Sequence, residues 1–154
     1  MPDGVDHGPG VRIPPPVMVA GLLALAWLLN RVVAVPLGPP ASGLGMLLLF
    51  GGLAWVGWAV LVMLRAGNDP RPDKPDTAFV ASGPFRFGRN PIYLGFLGVA
   101  AGMALSWGTL WGWLALASAF LWLDMAVVRK EEAYLRGRFG ETYLAYTRRV
   151  RRWL

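Results

Sequence analysis

Residues 43–64 and 92–123 contain no charged side chain at all, and this limits the fold more than any other feature of the chain. In hydrocarbon every backbone N–H and C=O must be satisfied within the segment, so such runs are expected to be membrane-spanning helices. The second run, roughly 32 residues, would reach about 48 Å as one helix, too long for a single upright span. Ser106, Trp107 and Gly108 mark the expected bend, which gives a hairpin of helices over 91–105 and 109–128. Residues 17–35 are apolar apart from Asn30 and Arg31, and about 19 residues nearly cross a bilayer, with Arg31 close enough to the end to snorkel. The expected fold is an all-α integral membrane protein with four transmembrane helices, the last two a hairpin, followed by a cytoplasmic amphipathic C-terminal helical region. Gly51, Gly52 and Gly57 in the second span are expected to admit a neighbouring helix closely.

The remaining organisation follows from composition. Residues 1–16 are rich in Gly and Pro and read as a flexible, extended leader. Residues 17–65 hold the first two spans, and 66–154 hold a polar loop, the hairpin and a tail. Cysteine is absent and the one histidine, His7, lies in the leader, so thiolate chemistry, disulfides and a metal site are not expected. The net charge of +6 comes from basic residues crowded at the ends of apolar runs. That pattern suits anionic lipid headgroups on the cytoplasmic side and argues against nucleic acid as a partner. The loop 65–91 and the tail 129–154 are therefore expected in the cytoplasm with both termini, in a bacterial inner membrane.

Polar groups gather where the apolar hairpin starts, in the segment 83–95, GPFRFGRNPIYLG. Each residue has an ordinary structural reading: Asn90 as helix N-cap, Pro91 at the first helical position, Arg86 and Arg89 as flanking charges, Tyr93 as an interfacial aromatic. Phe79, Val80 and Phe85 give the preceding loop something apolar to bury. Asp124 stands near the inner end of the fourth span, where an ionisable residue is a functional candidate. Beyond it come Glu131 and Glu132, which on a solvated helix would pair with residues such as Arg136. Phe139, Tyr143, Tyr146 and Val150 then recur at spacings of three and four. That describes an amphipathic stretch, interrupted at Gly140, that could pack back on the membrane surface and fold the acids over segment 83–95.

Taken in order, Gly83-Pro84-Phe85, Arg89-Asn90-Pro91-Ile92-Tyr93-Leu94-Gly95, Glu131-Glu132 and Phe139-Gly140 with Tyr143 and Tyr146 resemble the C-terminal half of the isoprenylcysteine carboxyl methyltransferase family, over about residues 77–152. The resemblance implies S-adenosylmethionine-dependent methyl transfer to a lipidic or membrane-soluble acceptor at the cytoplasmic face. It places Phe79, Val80, Phe85, Asn90, Pro91, Ile92, Tyr93, Glu131 and Glu132 around the cofactor; from their positions in segment 83–95 and near the end of the fourth span, Arg89 and Asp124 are catalytic candidates, and Arg86 and Arg129 are candidates for the acceptor side. A sulfonium, an ammonium and a carboxylate beside a flat adenosine need an acid, a donor and aromatic walls together, and the chain supplies all three. Two departures redirect the acceptor. Asn90 replaces the family's histidine, as in phospholipid N-methyltransferases, and Val127 and Val128 stand where the carboxyl-methylating members have an arginine. A lipid amine or a small thiol is then as good an acceptor as a prenylcysteine. Two other classes stay open on sequence: an NADPH-dependent reductase of the steroid 5-alpha-reductase type, with a related C-terminal architecture, and a non-enzymatic membrane scaffold.

Overall fold

The computed structural model describes residues 9–71 and 74–154, so His7 lies outside the described part. Among these residues the regular structure is helical: α1 (Pro15–Val32), α2 (Ser42–Arg65), α3 (Pro91–Trp107), α4 (Leu110–Trp122) and α5 (Arg129–Thr147). A short 3₁₀ turn, Gly83–Arg86, precedes α3, and a π-helical turn, Leu123–Val128, joins α4 to α5. Three helical stretches are long and apolar enough to cross a membrane, Pro15–Val32, Ser42–Arg65 and the continuous Leu110–Thr147, while Pro91–Trp107 is a shorter apolar helix.

Of the expected leader, residues 9–16 lie in the described part, and these are held against the helices. Proline at the first two helical positions removes only donors that lack partners there, so α1 starts at Pro15, inside the expected leader. Val11, 7% exposed, is buried in a core with Val19, Tyr93, Leu123 and Val127. Burial of its side chain holds residues 9–14 against the helices.

Helix α3 sits centrally and touches α1, α2 and α4. Its contact with α2 is almost backbone on backbone. A Cβ on Gly95 would lie 2.8 Å from the Gly52 carbonyl oxygen and 2.4 Å from Val56 Cγ2, and one on Gly102 would lie 2.5 Å from the Gly45 oxygen. Of the three glycines expected to face a neighbour only Gly52 does so; Gly51 and Gly57 open onto empty space, and Gly45, one heptad before Gly52, takes their place. Spacing decides this, because residues seven apart share a helix face whereas 51 and 57 point elsewhere. Gly95→Ala and Gly52→Ala should each destabilise the protein by about 1–3 kcal/mol through overpacking. Gly51→Ala should be neutral or slightly stabilising, and melting in detergent measures the difference.

The expected bend between the third and fourth helices is present, with Gly108 at φ 60°. There the two loops at one end of the bundle are stitched together. Leu37 N–H donates to Gly108 O (2.8 Å), Leu110 N–H to Val35 O (2.9 Å) and the Trp111 indole to Val33 O (2.6 Å). The opposite end, where α2 and α4 finish and α3 begins, carries the polar segments.

The tail departs most from expectation. α5 does not lie down as a separate amphipathic helix but continues α4 through the π turn, and the chain breaks direction only at Gly140 (φ 49°, ψ −124°). Residues Phe139, Tyr143 and Tyr146 then pack on Phe79 of the loop, with ring centroids 5.4, 6.2 and 5.3 Å away. Aromatic burial against the loop supplies the packing that a membrane surface was expected to give.

Candidate functional site

At the polar end the loop after α2 is shaped by one side chain. Asn68, 4% exposed, accepts from Thr77 N–H (2.9 Å), Thr77 Oγ1 (2.8 Å) and Ala78 N–H (2.9 Å), and donates to Ala78 O (2.7 Å). Closing the loop this way brings Phe79 and Val80 over the start of α3. The Asp76 N–H bonds to the Tyr134 hydroxyl (3.1 Å), which ties the same loop to α5.

The chain's final segment closes the other side. Arg89 N–H donates to Arg151 O (3.0 Å), Arg89 Nη1 to Val150 O (2.9 Å) and Asn90 Nδ2 to Arg152 O (2.9 Å). A Cβ on Gly88 would lie 2.0 Å from Trp153 O, so only glycine lets the two strands of chain lie this close. Tyr146 adds its hydroxyl to Phe85 O (2.6 Å). Asn90 stands at the N-cap position of α3 but makes no side-chain capping bond; its amide is committed to the tail instead.

Between loop, α3 and α5 lies an open cleft of about 790 Å³, its mouth included. Phe79, Val80, Phe85, Asn90, Pro91, Ile92, Tyr93 and Glu131 all line it, as does Arg89. Glu132, Asp124, Arg86 and Arg129 do not border it. Glu132 turns away from the cleft into an ion network, accepting from Arg89 Nη2 (2.7 Å) and Arg152 Nη2 (2.8 Å). Asp124 accepts from Arg129 (3.2 Å), Arg152 (3.4 Å) and the Trp153 indole (3.2 Å). Arg86 lies exposed on the 3₁₀ turn. The π turn accounts for the pairing of Asp124 with Arg129: its i→i+5 winding makes residues five apart neighbours, as a regular α-helix does not.

The twin acids therefore live in opposite surroundings. Glu131, beyond the charge-free part of the α4 span, accepts from the Tyr93 hydroxyl. Burial pushes its carboxyl up to about 8, with the Tyr93 bond opposing and the Asp76 charge adding to the rise. For Glu132, burial also works to raise the carboxyl, but the hydrogen bonds and charges of Arg152 and Arg89 outweigh it and hold it below the usual range.

Several lining residues carried no sequence signal: Asn68 as the loop's anchor, Asp76, Leu135 and Pro9 of the N-terminal segment. Arg152 could be read only as one of many tail arginines.

The sequence profile of phospholipid methyltransferases matches residues 41–142, two thirds of the chain and most of the cleft. The chain belongs to the phospholipid methyltransferase family. A 33% identical relative, an uncharacterized protein of Haemophilus influenzae, aligns over 63 residues, which is 41% of this chain and all of the relative. No solved structure matches the chain. Membership in this family makes a membrane methyltransferase the class of protein to which the cleft belongs, and gives no support to a reductase.

Proposed function

We propose that this phospholipid methyltransferase family member binds S-adenosylmethionine in the cleft and methylates a lipidic acceptor, a lipid amine before a small thiol, at the cytoplasmic membrane face. The observation that carries the reading is the Glu131 carboxyl, half-buried in the cleft wall and, among the described residues, within hydrogen-bond or ion-pair distance of no cation. A buried carboxylate is costly unless a positive group meets it, and the cofactor's cationic end is such a group. Phe79, Val80, Phe85, Pro91 and Ile92 offer apolar walls for adenosine, and Lys74 brings positive charge to the same cleft, where the Arg89 guanidinium is already taken up by Glu132 and Val150 O. The donor set thus fits a molecule that is cationic, anionic and aromatic at once.

S-adenosylmethionine, when bound, supplies an electrophilic methyl group. The chain's own part is to align the acceptor and exclude water, which needs no covalent nucleophile and agrees with the absence of cysteine. Glu131 holds the cationic end, with Tyr93 fixing the carboxyl's direction. Arg89 and Asn90 act by pinning the tail that walls the cleft. Asp124 and Arg129 steady that tail from outside, and Arg86 stays with the membrane-facing charges. The acceptor enters from the bilayer, and the basic loop and tail face the cytoplasm with both termini.

Calorimetric titration of the detergent-solubilised protein with S-adenosylhomocysteine tests this. Below about pH 8 the Glu131 carboxyl is mostly protonated, so pairing with the ligand's ammonium must expel a proton. Affinity is therefore expected to rise roughly tenfold between pH 6.5 and 8.5 and then level off. Glu131→Gln should weaken binding and flatten that dependence. Wild-type protein that binds no S-adenosylhomocysteine at either pH would end the proposal.

A further inference from the structure

Tyr143 is 1% exposed, its ring forms part of the cleft wall, and its hydroxyl is buried without a hydrogen-bond partner among the described residues. Its neighbour Tyr146, equally part of the wall, has its hydroxyl satisfied by Phe85 O. The contrast matters because an unmet buried hydroxyl costs stability that a phenylalanine in the same place would not. Phe79 and Tyr146 hold the Tyr143 ring at centroid distances of 6.2 Å each, so its direction is set before any ligand arrives. Burial pushes this phenol up to about 12, which keeps it a proton donor at physiological pH. Arg89, Arg136 and Arg152 are all within electrostatic reach of it, with Glu132 the opposing charge, whereas Asp76 acts on the Glu131 side of the cleft. Around the Tyr143 hydroxyl, then, three arginines stand against one acid.

The geometry points to Tyr143 as a ligand-binding residue whose hydroxyl donates to an anionic oxygen of the molecule held in the cleft. This rests on the proposed function and extends it. The oxygen belongs either to the carboxylate of the cofactor or to the phosphate of a lipid headgroup.

Wild type, Tyr143→Phe and Tyr146→Phe should be compared by melting temperature without ligand and by affinity for three probes. These are S-adenosylhomocysteine, 5′-methylthioadenosine, which lacks the amino-acid end, and a short-chain phosphatidylethanolamine. Tyr143→Phe is expected to melt at or above the wild-type temperature, whereas Tyr146→Phe melts lower. A roughly tenfold loss of S-adenosylhomocysteine affinity in Tyr143→Phe, with 5′-methylthioadenosine unaffected, identifies the cofactor carboxylate. A loss confined to phosphatidylethanolamine identifies the lipid phosphate. Unchanged affinity for every probe the wild type binds overturns the assignment alone, as does a melting temperature lowered as far as that of Tyr146→Phe, which would mean the hydroxyl already has a structural partner. Wild type that binds none of the probes removes the proposed function and this assignment with it.

Discussion

Glu132→Ala is expected to lower the melting temperature in detergent by roughly 6–12 °C, a loss of about 3 kcal/mol, and to abolish binding of S-adenosylhomocysteine along with it. Arg89 and Glu132 are both largely buried, their side chains 13% and 9% exposed, so removing the acid strands a guanidinium that cannot readily rehydrate. Arg152, 37% exposed, can turn to water, which keeps the loss near the lower end of the range for broken buried pairs. The neighbouring substitution should behave in the opposite way. Glu131→Gln keeps an oxygen to accept from Tyr93 and removes a buried ionisable group, so the melting temperature should stay within a degree or two while ligand affinity falls. Circular dichroism melts and calorimetry on the two variants together provide the check. If both lose stability equally, the division of labour between the two acids is wrong.

Removing residues 148–154 is expected to leave a helical, membrane-inserted protein with no measurable affinity for S-adenosylhomocysteine. The helices α1–α4 pack directly on one another, and the segment adds to that bundle through Trp153, which lies on Phe120 and against the core. The cleft does depend on it, because Arg89 and Asn90 would lose their acceptors at Val150, Arg151 and Arg152, and Glu132 would lose one of its two arginines. Arg152→Lys should be an intermediate case. Lysine restores charge but not the paired donation of Nε (3.1 Å) and Nη2 (2.8 Å) to Glu132. Truncated protein that binds as wild type does would show that the tail is only a covering.

The helices could be read from the charge-free runs, and the bend at Gly108 from the length of the second run. The cleft walls could be read from one compact segment, 83–95, together with the apolar pair Phe79 and Val80 in an otherwise polar loop. What could not be read was direction. Glu131 and Glu132 are adjacent in sequence, and which of them faces the cleft depends on helix phase, which the π turn alters upstream by inserting an extra residue. The same turn brings Arg129 to Asp124, which a regular helix would not do. Asn90 illustrates a second difficulty. Its local sequence suggests a cap, but its real partner is 62 residues away, and local pattern contains nothing about that. Val11 illustrates a third, because nothing local among the prolines and glycines says that it, and not Ile13 two residues on, is buried in the core.

From Leu110 to the kink at Gly140 the helix is unbroken, so the two acids ride on the same stiff rod as the span that enters the bilayer. A lever of this kind transmits angle. Tyr93 stands on a different and shorter rod, the 17-residue α3. A change in the lean of α4 relative to α3 would therefore act first on the contact between Glu131 and Tyr93, the two residues that meet across the cleft.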